Sequence, residues 1–270
     1  MSRDTALDID FPPCPSVLIN IQNEMNRGNP SIQKIAEYIV CDVVLAAEVL
    51  RSVNSPFYGL RYKVSSILDA IKIIGFARTL QLVAAASVRQ NTPPLPGMND
   101  FWNDSQAIAN IACSIARYLN MNGDLAYLMG LFHDCAIPLL VQRFPDYLYD
   151  PRMLNPEALD ITINEDAMFN ANHALLGSLF ARSWYLPDSI IQAIHYHHSD
   201  APFAQGLDCG TLNLITVNLL AINIHDASCG RKYTNFSWLE TQVRDYLLLS
   251  DDVDYQALID SAMDTIGASI

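Results

Sequence analysis

Five of the six histidines in this 270-residue chain fall between positions 133 and 198. His133 is followed directly by Asp134, His173 stands alone, and His195, His197 and His198 crowd one segment. A carboxylate beside an imidazole is a donor pair suited to Fe, Mn, Zn or Ni. Adjacent side chains on a helix diverge by about 100°, so an ion seated between the two directions is within reach of both. His195 and His198 lie three residues apart, with His197 on a neighbouring face. Imidazoles from three helices would then converge on one point. The candidate ligands are His133, Asp134, His173, His197 and His198. Taken singly, each histidine is more simply a packed or solvated residue, and for His195 that plain reading is preferred. His225-Asp226 repeats the dipeptide without the same surroundings and is read as solvated or structural.

Other chemistries find less support. The chain has no GxSxG, no Walker A loop and no GxGxxG. Its six cysteines are scattered without a CxxC pair, which reads as free thiols in a reducing compartment. Cys135 follows Asp134, whose charge disfavours a thiolate. A net charge of −13 repels phosphate backbones and anionic lipid, so neither nucleic acid nor membrane is expected as a partner. The longest apolar stretches look shorter than the roughly 18 residues a membrane span needs. The first dozen residues carry Asp4, Asp8 and Asp10 and do not read as a secretion signal. Trp102, Trp184 and Trp238 are read as packing residues.

The elements that must hold these residues are helical. Ile32, Ile35, Ala36, Ile39 and Val40 follow the helical period. Ser31, Asp42 and Ser65 or Ser66 are expected N-caps, and Gly75 an expected terminator. Leu125 to Phe132 reads as a buried helix ending in His133-Asp134. Glu165, Phe169, His173 and Gly177 repeat every four residues and are expected to share a stripe. Strand signals are nearly absent. Residues 91–99, NTPPLPGMN, read as a linker, and the stretches 144–157 and 199–210 as irregular. The fold class is therefore all-α.

The order of short motifs resembles the HDOD family, a bacterial output domain related to HD phosphohydrolases. The resemblance runs from Phe11-Pro12-Pro13 through Asn54-Ser55, Tyr58-Gly59, Val64-Ser65-Ser66-Ile67, Gly75 and Phe101-Trp102 to His133-Asp134. It ends with Glu165, Phe169, His173, Gly177, Trp184, Leu186-Pro187 and His197-His198. It implies an HD-like helical bundle over 100–205, preceded by an N-terminal helical subdomain over 11–92 and a linker over 93–99. Residues 206–270 form a C-terminal helical extension. The face of Leu212, Leu214, Ile215, Leu219 and Ile222 is expected to cover the bundle or a second copy.

The resemblance also sorts the ligands. HD enzymes use a histidine, the His-Asp pair and a distant aspartate, and the two-metal branch adds histidines matching His173, His197 and His198. Here the first histidine is missing after Trp102, and Asp104 stands in as a carboxylate candidate. Asn218 sits where the distant aspartate belongs, and Ile137 where the cyclic-dinucleotide branch keeps a lysine. The site is thus a degenerate HD metal site that leaves a phosphate without a cationic partner. The expected function is a non-catalytic signalling module of the bacterial cytoplasm that works through protein partners. The alternatives are a metal-dependent phosphohydrolase acting on a nucleotide or related phosphate, and a metal- or ligand-responsive sensor.

Overall fold

Helices begin where the sequence supplies capping side chains. In the computed structural model, Ser31 accepts from the Lys34 N–H at 3.4 Å and Asp42 from the Leu45 N–H at 3.0 Å. Ser66, rather than Ser65, caps the next helix by accepting from Asp69 at 3.1 Å. Each satisfies a backbone donor that the first helical turn leaves open. The structure describes residues 10–55, 58–92, 98–147, 161–199, 202–231, 234–249 and 251–267, without the side chains of 234–239 and 265–267. The centre of the proline-rich linker (93–97), residues 148–160 of the second irregular stretch, and the side chain of Trp238 lie outside them. No strand occurs among the described residues.

Two compact units emerge. The first, residues 13–92, contains α1 (Ser16–Met25), α2 (Ile32–Val40), α3 (Val43–Val53) and α4 (Ile67–Asn91). Ile21, Ile35, Ile39, Leu45, Val49 and Ile71 form its core. Asn54 ends α3 and ties the following loop. Its amide donates to the carbonyls of Leu50 and Val64 at 2.9 and 2.8 Å, and its carbonyl accepts from Val64 at 2.7 Å. Gly75 has φ 79° inside α4. It therefore breaks the helix as expected, and a second helical segment starts at once.

The other unit takes residues up to 12 together with 93–266. It contains α5 (Met98–Tyr118), α6 (Gly123–Phe132), α7 (Ile137–Arg143), α8 (Ile161–Phe169) and α9 (His173–Ser183). These are followed by α10 (Asp188–Tyr196), a single 3-10 turn (Pro202–Ala204), α11 (Cys209–Ser228), α12 (Thr234–Tyr246) and α13 (Asp252–Gly267). The main pairings are α5 with α6, α9 with α10, and α11 with α5, α6 and α10. Leu214, Ile215, Leu219 and Ile222 of α11 are buried, so this face covers the bundle. The lead-in segment belongs here as well. Phe11 stacks on Phe180 at 5.9 Å, and Trp184 donates its indole N–H to the Pro12 carbonyl at 2.9 Å.

Two stretches, 67–91 and 123–143, do pass a length-and-hydropathy test for a membrane span, contrary to the sequence expectation. They are 56% and 78% buried in their most apolar windows, as core helices are. The first is broken at Gly75 and the second at 133–136.

Helices α5 and α6 approach closely because position 130 is glycine. A Cβ there would lie 2.7 Å from Ala109 Cα, a backbone atom that cannot step aside alone. Gly130→Ala is expected to destabilise the fold by about 1–3 kcal/mol through overpacking. Urea denaturation checks this, and an unchanged midpoint would refute the close approach.

Candidate metal centre

Helix α6 is apolar on every side, with Ala126, Tyr127, Leu128, Met129, Leu131 and Phe132 all buried. Such a helix is drawn wholly into the core, and it carries its polar sequel with it. His133 is the C-cap of α6, 4% exposed, and Asp134 follows. His173 is the first residue of α9, capped by Asn172, whose side chain accepts from the Leu175 N–H at 2.8 Å. His197 is the C-cap of α10, and His198 comes next.

The expected stripe of Glu165, Phe169, His173 and Gly177 is not one helix. Helix α8 ends at Phe169, Asn170 turns left-handed with φ 57°, and Asn172 starts α9. Asparagine tolerates the left-handed region and is a strong N-cap, so this pair supplies the break. Glu165 and His173 nevertheless meet across it.

Among the described residues, ligand atoms of Asp134, His173, His197 and His198 all lie within 4.8 Å of one another. The Nε2 atoms of His173 and His197 each stand 3.3 Å from Asp134 Oδ1 and 3.4 Å from each other. His133 Nε2 lies 3.2 Å from Asp134 Oδ2. His195 is exposed and takes no part.

The tautomers follow from the outer partners. His133 Nδ1 faces the Gly130 carbonyl at 2.8 Å, and His197 Nδ1 faces the Ile194 carbonyl at 2.6 Å. A carbonyl only accepts, so each Nδ1 carries the proton and each Nε2 a lone pair when the ring is neutral. His173 Nδ1 faces Glu165 Oε2 at 2.7 Å. That oxygen also accepts from the His173 backbone N–H at 2.9 Å, and Tyr147 donates its hydroxyl to Glu165 Oε1. Glu165 is fully buried. Three Nε2 atoms are thus turned on a carboxylate that can only accept. Asp134 Oδ1 and His198 Nδ1 are both buried and receive no aligned hydrogen bond. Acceptors gathered in this way call for a positive charge among them, whether a proton or a metal ion.

Charge reads the same way. Burial would raise the Asp134 carboxyl, but the surrounding imidazoles, His133 foremost, hold it well below the usual carboxylate range. Burial would lower His173, yet Glu165 on one side and Asp134 on the other hold its imidazolium up to about 10. Burial pushes His197 and His198 down, so both are neutral near pH 7. The Cys135 thiol is pushed up, by burial first and by Asp134 second. Without metal, a proton on His173 therefore serves as the cation between two carboxylates. The N and O donor set, the Nδ1 anchors and the orphaned atoms fit a divalent transition ion. The Glu165–His173 pair is the outer-shell arrangement that orients such ligands.

A cleft of about 260 Å³ opens beside this cluster, lined by His133, Asp134 and His198 on one side. Asp104, His225, Asp226 and Arg231 also line it. Asp104 does not join the four-ligand cluster; its Oδ2 pairs with Arg231 at 3.0 Å. His225 is 4% exposed rather than solvated, and with Asp226 it forms part of the cleft wall. Arg231 supplies the positive charge that the sequence seemed to lack, from a turn that no motif marks. Asn218 is fully buried with both polar atoms unpartnered, on the α11 stripe of Ile222 and His225 but not on the cleft wall.

The HDOD domain model matches residues 11–200. The chain belongs to the HDOD family. An uncharacterised protein of Treponema pallidum is 28% identical to it over 201 residues, 70% of this chain and 38% of that relative. The chain thus spans well under half of that relative's length. Among solved structures, a candidate phosphohydrolase from Shewanella amazonensis superposes with TM-score 0.76 at 21% identity, covering 99% of this chain and 97% of that one. A candidate signal transduction protein from Marinobacter aquaeolei gives 0.69 at 21% identity, covering 97% and 60%. At this identity the likeness concerns the fold. It is the HDOD fold.

Proposed function

We propose that this HDOD chain holds one divalent transition ion between Asp134, His173, His197 and His198 and serves as a non-hydrolytic regulatory module of the bacterial cytoplasm, acting through protein partners. The observation that carries this reading is the four-fold donor set. Catalytic zinc sites keep a coordination position open for water, whereas four protein ligands close a tetrahedral zinc site. An ion held here would supply charge neutralisation and cross-linking of three helix ends. The residues around it point the same way. Position 137 is isoleucine, and the guanidinium of the cleft is already engaged by Asp104 and Asp226. Among the described residues of the cleft wall, a phosphate would meet no uncommitted cationic side chain of the kind its transition state requires.

Elemental analysis of untagged protein tests the first half. About one equivalent of Fe, Mn, Zn or Ni is expected, absent from an Asp134→Ala/His173→Ala variant. Phosphate release from p-nitrophenyl phosphate and nucleotides, with each ion added, tests the second, and none above background is expected. Protein that takes up no ion under any loading would sink the metal-holding reading. Metal-dependent release that disappears in the double variant would replace the regulatory reading with hydrolysis. That second reading has one observation in its favour, the cleft that opens directly onto His133, Asp134 and His198.

A further inference from the structure

Part of the cleft wall is built around a cation that the chain itself provides. Helix α11 ends in a left-handed turn in which Gly230 has φ 72°, and the Arg231 N–H returns to the Asp226 carbonyl at 2.8 Å. This is a glycine-terminated helix end of the kind that fixes the next residue's direction, and it turns Arg231 back over the last turn of α11. The Arg231 guanidinium then meets three acceptors. Asp226 Oδ1 lies 3.1 Å from Nε, Asp104 Oδ2 of α5 lies 3.0 Å from Nη1, and His225 Nδ1 lies 3.3 Å from Nη2. A guanidinium only donates and keeps its charge at every accessible pH. His225 Nδ1 must therefore present its lone pair, with the ring proton on Nε2 toward Asp104 Oδ1 at 3.5 Å.

Two carboxylate oxygens and one imidazole lone pair around a single positive centre form the donor set a divalent ion takes. These groups share a cleft with His133, Asp134 and His198. Without Arg231 they would leave two carboxylates facing each other beside a third, Asp134, in a chain of net charge −13. We propose that Arg231 is a tethered counter-ion seated in a second cation position formed by Asp104, His225 and Asp226, so that the cleft accepts one fewer divalent ion than its ligands would allow. The one-ion count of the native chain rests on the metal reading above; the difference made by Arg231 does not. The tether also links α5 to the end of α11.

The test is a comparison of metal content. The untagged full chain is loaded with Mn²⁺ or Zn²⁺, desalted and analysed for metal beside Arg231→Met, Arg231→Gln and Arg231→Lys. The two neutral variants are expected to gain about one equivalent over the native chain, and Arg231→Lys, which keeps the charge, to gain none. Adding Asp104→Asn and Asp226→Asn to Arg231→Gln is expected to abolish the gain. Arg231 is half exposed, and melting temperatures verify that each variant folds. Equal metal content in the native chain and both neutral variants overturns the proposal, as does an equal gain in Arg231→Lys. A native chain without metal beside an Arg231→Gln variant holding about one equivalent would refute the four-ligand site and support this one.

Discussion

Alanine at position 173 is expected to cost the metal-free fold about 3 kcal/mol and to weaken metal binding on the order of several hundred-fold. His173 and Glu165 are 1% and 0% exposed, and the imidazolium is the charge partner of that carboxylate. Removing one member of a buried pair leaves the other uncompensated, a loss of roughly 3–5 kcal/mol. The lower end applies because Glu165 keeps two bonds in the variant, from the residue 173 backbone N–H and from Tyr147. For the metal, structural zinc sites bind with about 10–16 kcal/mol over four ligands. One ligand is then worth about 2.5–4 kcal/mol, on the order of a hundred- to a thousand-fold in affinity. Urea denaturation in chelator measures the first effect and competition with a chromophoric chelator the second. A variant that unfolds at the native midpoint and keeps its ion would show that His173 is neither ligand nor charge partner.

The sequence made the helices and most donors legible because both depend on local rules. Ser31, Asp42 and Ser66 cap helices through contacts three residues away, and an unbroken apolar run marks α6 as buried. The histidines stood out because five of the six fall between positions 133 and 198, one of them beside Asp134. What escaped depends on contacts between distant residues. The four-residue repeat from Glu165 to Gly177 suggested one helix, yet Asn170 and Asn172 break it, and the Glu165–His173 contact is made by folding back. Tyr147 enters the site 18 positions before Glu165, with no periodic signal. Arg231 lies 127 positions from Asp104. Asp104 looked like a substitute ligand because spacing alone cannot show that a guanidinium reaches it first.

The ligands also sit where side chains can be aimed without bending a helix. His133 and His197 are C-caps, and His173 opens α9. At such positions the chain leaves its helical direction, so adjacent residues such as His197 and His198 can turn on one centre. The C-terminal carbonyls that helix ends leave open accept the Nδ1 protons of both caps, from Gly130 and Ile194. One contact thus satisfies an orphan carbonyl and fixes a ligand tautomer.

Metal affinity is expected to rise about tenfold per pH unit between about 7 and 9, with about one proton released for each ion bound. The sign follows from His173. Its imidazolium is held up to about 10, against an ordinary 6.5, so a metal arriving at neutral pH must displace a proton, and higher pH removes that competitor. His197 and His198 are pushed down by burial and Asp134 is held ionised, so none of them adds a second proton to the count. The metal-free fold should show the opposite trend. A raised imidazolium contributes stability that is complete below about 6.5 and is lost as pH rises through about 10. Raising pH therefore weakens the empty fold while strengthening its hold on the ion. Glu165→Gln removes the chief cause of the raised value. It should flatten the pH dependence near neutrality and lower the intrinsic affinity about 10–100-fold. Titration calorimetry in two buffers of different ionisation enthalpy counts the protons. An affinity that does not change between about pH 7 and 9 would mean that no proton occupies the centre, and that the two carboxylates flanking His173 are neutralised in some other way.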